Sequence, residues 1–160
     1  MVMKRQRKAY KTPRRAWNKQ RIEREREIVK TYGLRKKAEI WKFETLLRKF
    51  RRLARGLAAK TDKEKEKILV DKMIKLGLLN EGAILDDVLE LNLENFLERR
   101  LQTIIFKKGF ANSPKQARQF IVHGHVRIDE RRITYPSYIV LKGEEEKIKV
   151  HVQPVKKVIA

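Results

Sequence analysis

Cysteine is absent from this chain of 160 residues, so neither a disulfide framework nor a thiolate metal site can form, which is compatible with a reducing compartment. Histidine is scarce: there are three, two of them bracketing Gly124 and the third distant in sequence, a poor set for a metal ion. No apolar run approaches the roughly 18 to 20 residues needed to cross a bilayer, and the basic N-terminus is not followed by the short apolar core of a signal peptide. The expectation is a soluble, untargeted chain with no metal, cofactor or membrane span. With 41% hydrophobic residues, the length allows one modest domain, or a small domain plus an extension, and no large enzyme core. Acidic residues are also in short supply: 20 Asp and Glu stand against 41 Lys and Arg, a net charge of +21. A compact chain repels itself at that charge unless a polyanion neutralises it, which makes nucleic acid the first partner class to consider.

The charge is unevenly spread. Residues 1–60 hold 22 basic and 5 acidic side chains, residues 61–98 hold 5 and 10, and residues 99–160 hold 14 and 5. Generic solubilising charge mixes signs throughout a chain, so two basic blocks around an acidic one imply two separate polyanion-facing surfaces.

The first block opens with "MVMKRQRKAYKTPRRAWNKQR", which has too few aliphatic residues to build a core. Residues 1–17 read as a basic extended tail in which Arg5, Lys8, Lys11, Arg14 and Arg15 can meet phosphates and Tyr10 and Trp17 can stack on bases or sugars. The alternatives are a solvated tail, or one that Trp17 anchors to the protein's own body. Residues 18–91 read as a helical domain. Asn18 to Gly33 has helical charge spacing. In "KKAEIWKFETLLRKFRRLARGLAA", Ile40, Phe43, Leu47, Phe50, Ala54 and Leu57 recur at three and four residues as one buried stripe. Other faces carry Lys42, Arg48, Lys49, Arg51, Arg52 and Arg55, all cations from Arg48 onward; phosphate contact would relieve their mutual repulsion. Gly56 predicts an end or bend. Thr61 or Asp62 then caps a helix with Ile68, Leu69, Met73 and Leu76 on its apolar side, and a short acidic helix follows with Leu85, Val88 and Leu89 as core.

Residues 92–160 read as a separate module. One helix with Asn92 as cap and Gly109 as stop carries Leu93, Leu97, Leu101, Ile104 and Ile105 on one face. In "SPKQARQFIVHGHVRID", Ser113 caps, Pro114 suits the first helical position, and Gln116 completes capping-box spacing. Ala117, Phe120 and Ile121 face inward, and Gly124 stops the helix. The period then alternates, placing Val126, Ile128 and Ile133 inside a small hairpin, with "YIVLKG" and "KIKVHV" as later strands. Arg100, Lys115, Arg118, Gln119, His123, His125, Arg127, Arg131 and Arg132 are the candidate RNA-facing residues here. A shallow convex patch of this kind suits the backbone of folded RNA better than a DNA major groove. The two histidines read as RNA hydrogen-bond partners or local caps in preference to metal ligands. The fold class is α+β.

The stretch "FLERRLQTIIFKKGFANSPKQARQFIVHGHVRIDERRITYPSYIV" resembles the S-four RNA-binding module, through Arg100-Leu101, Gly109 to Ser113, Ala117-Arg118 through Gly124-His125-Val126, and Pro136-Ser137-Tyr138. The start "RKAYKTPRRAWNKQRIEREREIVKTYGLRKKAEIWKFETLLRKFRR" resembles the archaeal and eukaryotic form of small-subunit ribosomal protein S-four. The two matches span nearly the whole chain. The resemblance implies a non-enzymatic primary binder of small-subunit ribosomal RNA in the cytoplasm. It would act early on the five-prime domain, beside the ribosomal protein S-five, and contribute to decoding accuracy; no homo-oligomer is expected. Two departures stand out. Relatives of the module often place Asn-Gly at the hairpin turn where this chain has Asp129-Glu130, which makes a tight two-residue turn less expected. The cysteines with which some bacterial members hold zinc are missing. An RNA-modifying enzyme carrying the same module is disfavoured, because outside the module there is no Gly-rich phosphate loop, metal set or acid-base pair. A free-standing RNA-binding factor would carry the same module without belonging to a ribosome.

Overall fold

Helix α1, Lys19–Thr31, begins where Asn18 Oδ1 accepts from the Arg21 amide at 3.2 Å. The structure, a computed structural model, describes residues 8–60 and 62–151. Arg5, the Thr61 capping alternative and the terminal "QPVKKVIA" therefore lie outside the described residues.

Helix α2, Lys37–Ala58, is organised by its stripe: Ile40, Phe43, Leu47, Phe50 and Ala54 are buried and Leu57 is half-buried against the same cluster. Removing each large side chain from water contributes about 1.5–3 kcal/mol, so the stripe outweighs the cation repulsion on the opposite face. The helix runs through Gly56 and ends at Ala58, close to where the glycine suggested; an added Cβ at Gly56 would meet nothing within 4 Å. Helix α3, Lys63–Lys75, buries Leu69 and Met73 but leaves Ile68 68% exposed. The apolar face is thus narrower than the sequence suggested, because Ile68 lies off the side that meets α2. Helix α4, Leu85–Glu90, buries Val88 with Leu85 and Leu89 packed alongside.

The expected single helix after Asn92 is two helices, α5 (Leu93–Glu98) and α6 (Leu101–Lys107). Between them Arg100 is extended, with φ −68° and ψ 139°. The break satisfies backbone groups elsewhere: Leu101 N donates to Tyr138 O at 2.8 Å and Val140 N to Arg99 O at 2.9 Å, a local bridge pairing Arg100 with Ile139. Among the described residues, that bridge is all the strand pairing "YIVLKG" makes. The break also divides the hydrophobic interior. Leu97 closes a first cluster, built with Ile40, Phe43, Phe50, Met73, Val88 and Phe96, and Leu101 opens a second, built with Ile105, Ala117, Ile121, Val126 and Val140.

Helix α7, Pro114–Val122, is capped by Ser113 Oγ accepting from Gln116 N. The Gln116 side chain returns to the Asn112 amide at 2.8 Å, one residue outside the reciprocal box. Its end follows the Schellman pattern: Gly124 N donates to Ile121 O and His125 N to Phe120 O, both at 2.9 Å, with Gly124 at φ +76°. The chain goes straight into β1 (Val126–Ile128), the centre of an antiparallel sheet ordered β2-β1-β3 with β2 Arg131–Arg132 and β3 Ile148–Val150. Register pairs Ile128 with Arg131, so Asp129 and Glu130 do form a two-residue turn. It closes because Asp129 takes a positive φ of 53°, which Asp tolerates better than most residues.

Candidate nucleic-acid interface

Cations on the module are exposed on both the helix and the hairpin. Lys115 and Gln119 stand out from α7, His123 and His125 flank its stop, Arg127 points outward between buried Val126 and Ile128, and Arg131 and Arg132 fill the edge strand. Among the described residues, Lys115, Arg127 and Arg131 have no acidic partner within salt-bridge distance. Arg132 Nη2 donates to His123 O at 3.0 Å, and its guanidinium passes so close to Gly124 that a Cβ there would lie 2.0 Å from Nε. Gly124 is therefore needed twice, for its φ and for the passage of Arg132. The imidazoles of His123 and His125 are stacked, centroids 6.2 Å apart, and His125 stands edge-on to Phe120. Among the described residues no three His, Asp or Glu side chains converge on a metal-sized site.

Arg100 is not part of this surface. It is 1% exposed, its Nη2 donates to Glu39 Oε2 at 2.9 Å, and its guanidinium lies over the Phe43 ring at 5.5 Å. The break between α5 and α6 turns its side chain into the seam between the two clusters. Arg118 is half-buried, with Nη1 at 3.1 Å and 3.2 Å from the two Glu39 oxygens. Burial would raise the Glu39 carboxyl, but hydrogen bonds from Arg118 and Arg100, and their charges, outweigh it and hold the group below the usual carboxylate range. Burial draws Arg100 below its ordinary value, with Glu39 opposing; a guanidinium stays protonated regardless.

On the helical body, Arg48, Arg52 and Arg55 are exposed, with Arg48 bonded to Glu44 one turn earlier at 2.9 Å. Arg51 is half-buried because its Nη2 donates to the Leu91 carbonyl at the end of α4. In the N-terminal segment Lys8, Lys11, Arg14 and Arg15 are exposed and Trp17 is 92% exposed, so Trp17 does not anchor the segment. Tyr10 does: its ring lies 5.8 Å from that of Trp41, and Lys11 N donates to Thr45 Oγ1. Tyr10 is thus half-buried on α2 instead of free to stack.

Sequence reasoning missed two acids. Glu39 joins α2 to the module, and buried Glu25 accepts from Trp41 Nε1 at 2.9 Å while pairing with Arg21 and Lys37. The one local sign is at Glu39, an acid just after Arg35, Lys36 and Lys37; Glu25 alternates with Arg24 and Arg26 and gives none.

A pair of short helices leads through a glycine stop into a cationic hairpin, and residues 99–145, which hold this unit, match the family model described as "S4 domain". Residues 4–98 match the "Ribosomal protein S4/S9 N-terminal domain", and the chain belongs to the ribosomal protein S4 family. Relatives named small ribosomal subunit protein uS4 include one from Methanococcus aeolicus, 54% identical with 88% of this chain and 82% of the relative covered. Another, from Methanothermobacter thermautotrophicus, is 49% identical over 89% and 85%, and one from Picrophilus torridus is 47% identical over 89% and 81%. The family is one of structural, non-enzymatic ribosomal components.

Proposed function

We propose that this protein is a structural component of the small ribosomal subunit that grips folded small-subunit ribosomal RNA with two basic surfaces. One is the module face of Lys115, Gln119, His123, His125, Arg127, Arg131 and Arg132. The other is the N-terminal segment with Arg5, Lys8, Lys11, Arg14, Arg15 and Trp17, together with the α2 face of Arg48, Arg52 and Arg55. The carrying observation is that exposed cations of α7 and the hairpin stand without acidic partners among the described residues. Uncompensated charge of that density finds its counter-ions in phosphates. Donors spread over a helix, a turn and a hairpin read RNA shape more than sequence. Family membership supports the finer reading of an early-assembly contact with the five-prime domain of the RNA. It likewise supports a place beside ribosomal protein S-five, with an influence on decoding accuracy, in cytoplasmic ribosomes.

Filter binding to a five-prime-domain transcript across a salt series tests the RNA contact. Affinity is expected to fall steeply with salt and to exceed that for an unstructured RNA of equal length. A flat salt response, or equal affinity for the two RNAs, overturns it. Co-sedimentation tests the ribosomal role, since a structural component stays with small subunits through a high-salt wash that strips a transient factor.

A further inference from the structure

Between α2 and the module lies an open-sided pocket of about 760 Å³, within the roughly 300–1,000 Å³ typical of ligand sites. Six cations line it, Arg35, Lys36, Lys42, Lys49, Arg100 and Arg118, against a single acid, Glu39. Both oxygens of that acid are already engaged. Oε1 accepts from Arg118 Nη1 and, at 3.3 Å, from the Arg35 amide, and Oε2 accepts from Arg100 Nη2 and Arg118 Nη1. The wall is therefore cationic in net terms. Buried Arg100 has two further donors, Nε and Nη1, with no acceptor among the described residues, although buried donors are ordinarily satisfied. Phe43, Leu46 and Pro136 give the pocket an apolar side as well.

We propose that this pocket is a nucleotide site. It takes one phosphate of the bound RNA strand against Lys42, Lys49 and Arg118, with that nucleotide's base or sugar laid on the apolar side. Glu39 is a positioning residue that holds the two arginines in place. The proposal rests on the RNA-binding reading above and adds Arg35, Lys36, Lys42 and Lys49 to it, residues on α2 or just before it that line the pocket together with Arg118 of α7. An RNA phosphodiester is favoured over an acidic peptide because cations and apolar surface face the same space, as a nucleotide requires.

The experiment uses the full chain. In the Lys42→Gln/Lys49→Gln variant, affinity for the structured transcript is expected to drop about tenfold and the salt slope to shrink by about 1–2. The equal charge change Lys63→Gln/Lys67→Gln on α3 should do much less. All four lysines are exposed, and a circular dichroism melt checks that folding is intact. In ¹⁵N-labelled protein the Arg100 Nε–H resonance should move on adding RNA, and less with adenosine monophosphate or poly-glutamate at equal phosphate or carboxylate concentration. Equal losses in the two double variants, an unmoved Arg100 signal with RNA bound, or a larger shift with the monophosphate or poly-glutamate would each overturn the pocket. Complete absence of RNA binding would instead overturn the functional reading beneath it.

Discussion

Gln102 donates its side-chain amide to the carbonyl of Gly33 at 3.0 Å, across 69 residues of sequence. The same nitrogen reaches Tyr32 O and Pro114 O, so one buried amide joins the turn after α1 to the start of α7. Gly33 is at φ +59°, and a Cβ there would lie 2.6 Å from Pro114 Cβ. Gly33→Ala is expected to cost about 1–3 kcal/mol through the backbone alone, and Gln102→Ala about 1–3 kcal/mol by leaving buried carbonyls unpaired. Urea unfolding measures both, and a double variant losing less than the sum would show that the two act at one seam.

Glu39 makes stability pH-dependent in a defined direction. Its folded-state pKa lies below the unfolded one, so its contribution is fully present above the ordinary carboxylate range and is lost as pH falls through the depressed folded value. Glu39→Gln should be less stable at neutral pH by about 1–3 kcal/mol and should lose less on acidification across that window. Thermal melts from pH 7 down to pH 3 give the comparison; parallel curves for the two proteins would refute the assignment.

Arg100 and Lys115 separate structure from binding. Arg100→Ala should destabilise by about 3 kcal/mol or more, as removal of one partner from a buried ion pair does. Lys115→Ala and Arg127→Ala should leave the melting temperature unchanged and each lower the salt slope of RNA binding by about 1. A melting temperature that drops on loss of exposed Lys115 would contradict this division.

Of the two tryptophans, Trp17 is the exposed one and can report on RNA. Its emission is expected to be quenched on binding, and Trp17→Phe should abolish most of the change, since Trp41 is held by Glu25 and Tyr10. Loss of the stack in Trp17→Ala should cost up to about 1–3 kcal/mol of affinity. Unaltered quenching in the Phe variant would mean that the segment lies off the RNA.

Local signals were legible where the chemistry is local. The cap of α7 at Ser113, its glycine stop at Gly124 and the stripe of α2 all depend on residues within a turn or two of each other, and they stand as read. The break at Arg99 and Arg100 was not legible, because the apolar spacing from Leu93 to Ile105 runs on without a glycine or proline. What breaks the helix is residues 138–140, nearly forty positions away. The same distance hid Arg100: by pattern it is an exposed cation, and only its pairing with Glu39, 61 residues earlier, makes it interior. Ile68 is more exposed and Tyr10 more covered than read: periodicity gives Ile68 a face but not how wide its partner is, and composition gives no sign of Trp41 beneath Tyr10.

The break at Arg99 and Arg100 bears on the order in which the chain can complete itself during synthesis. Arg99 meets Val140 O and Glu145, and Lys142 N bonds to Lys75 O. The helical half therefore leaves the exit tunnel with one flank unfinished and gains its last partners some forty residues later, when residues 140–145 arrive. A nascent chain stalled near residue 120 would expose that flank to proteases, and one released past residue 145 would not.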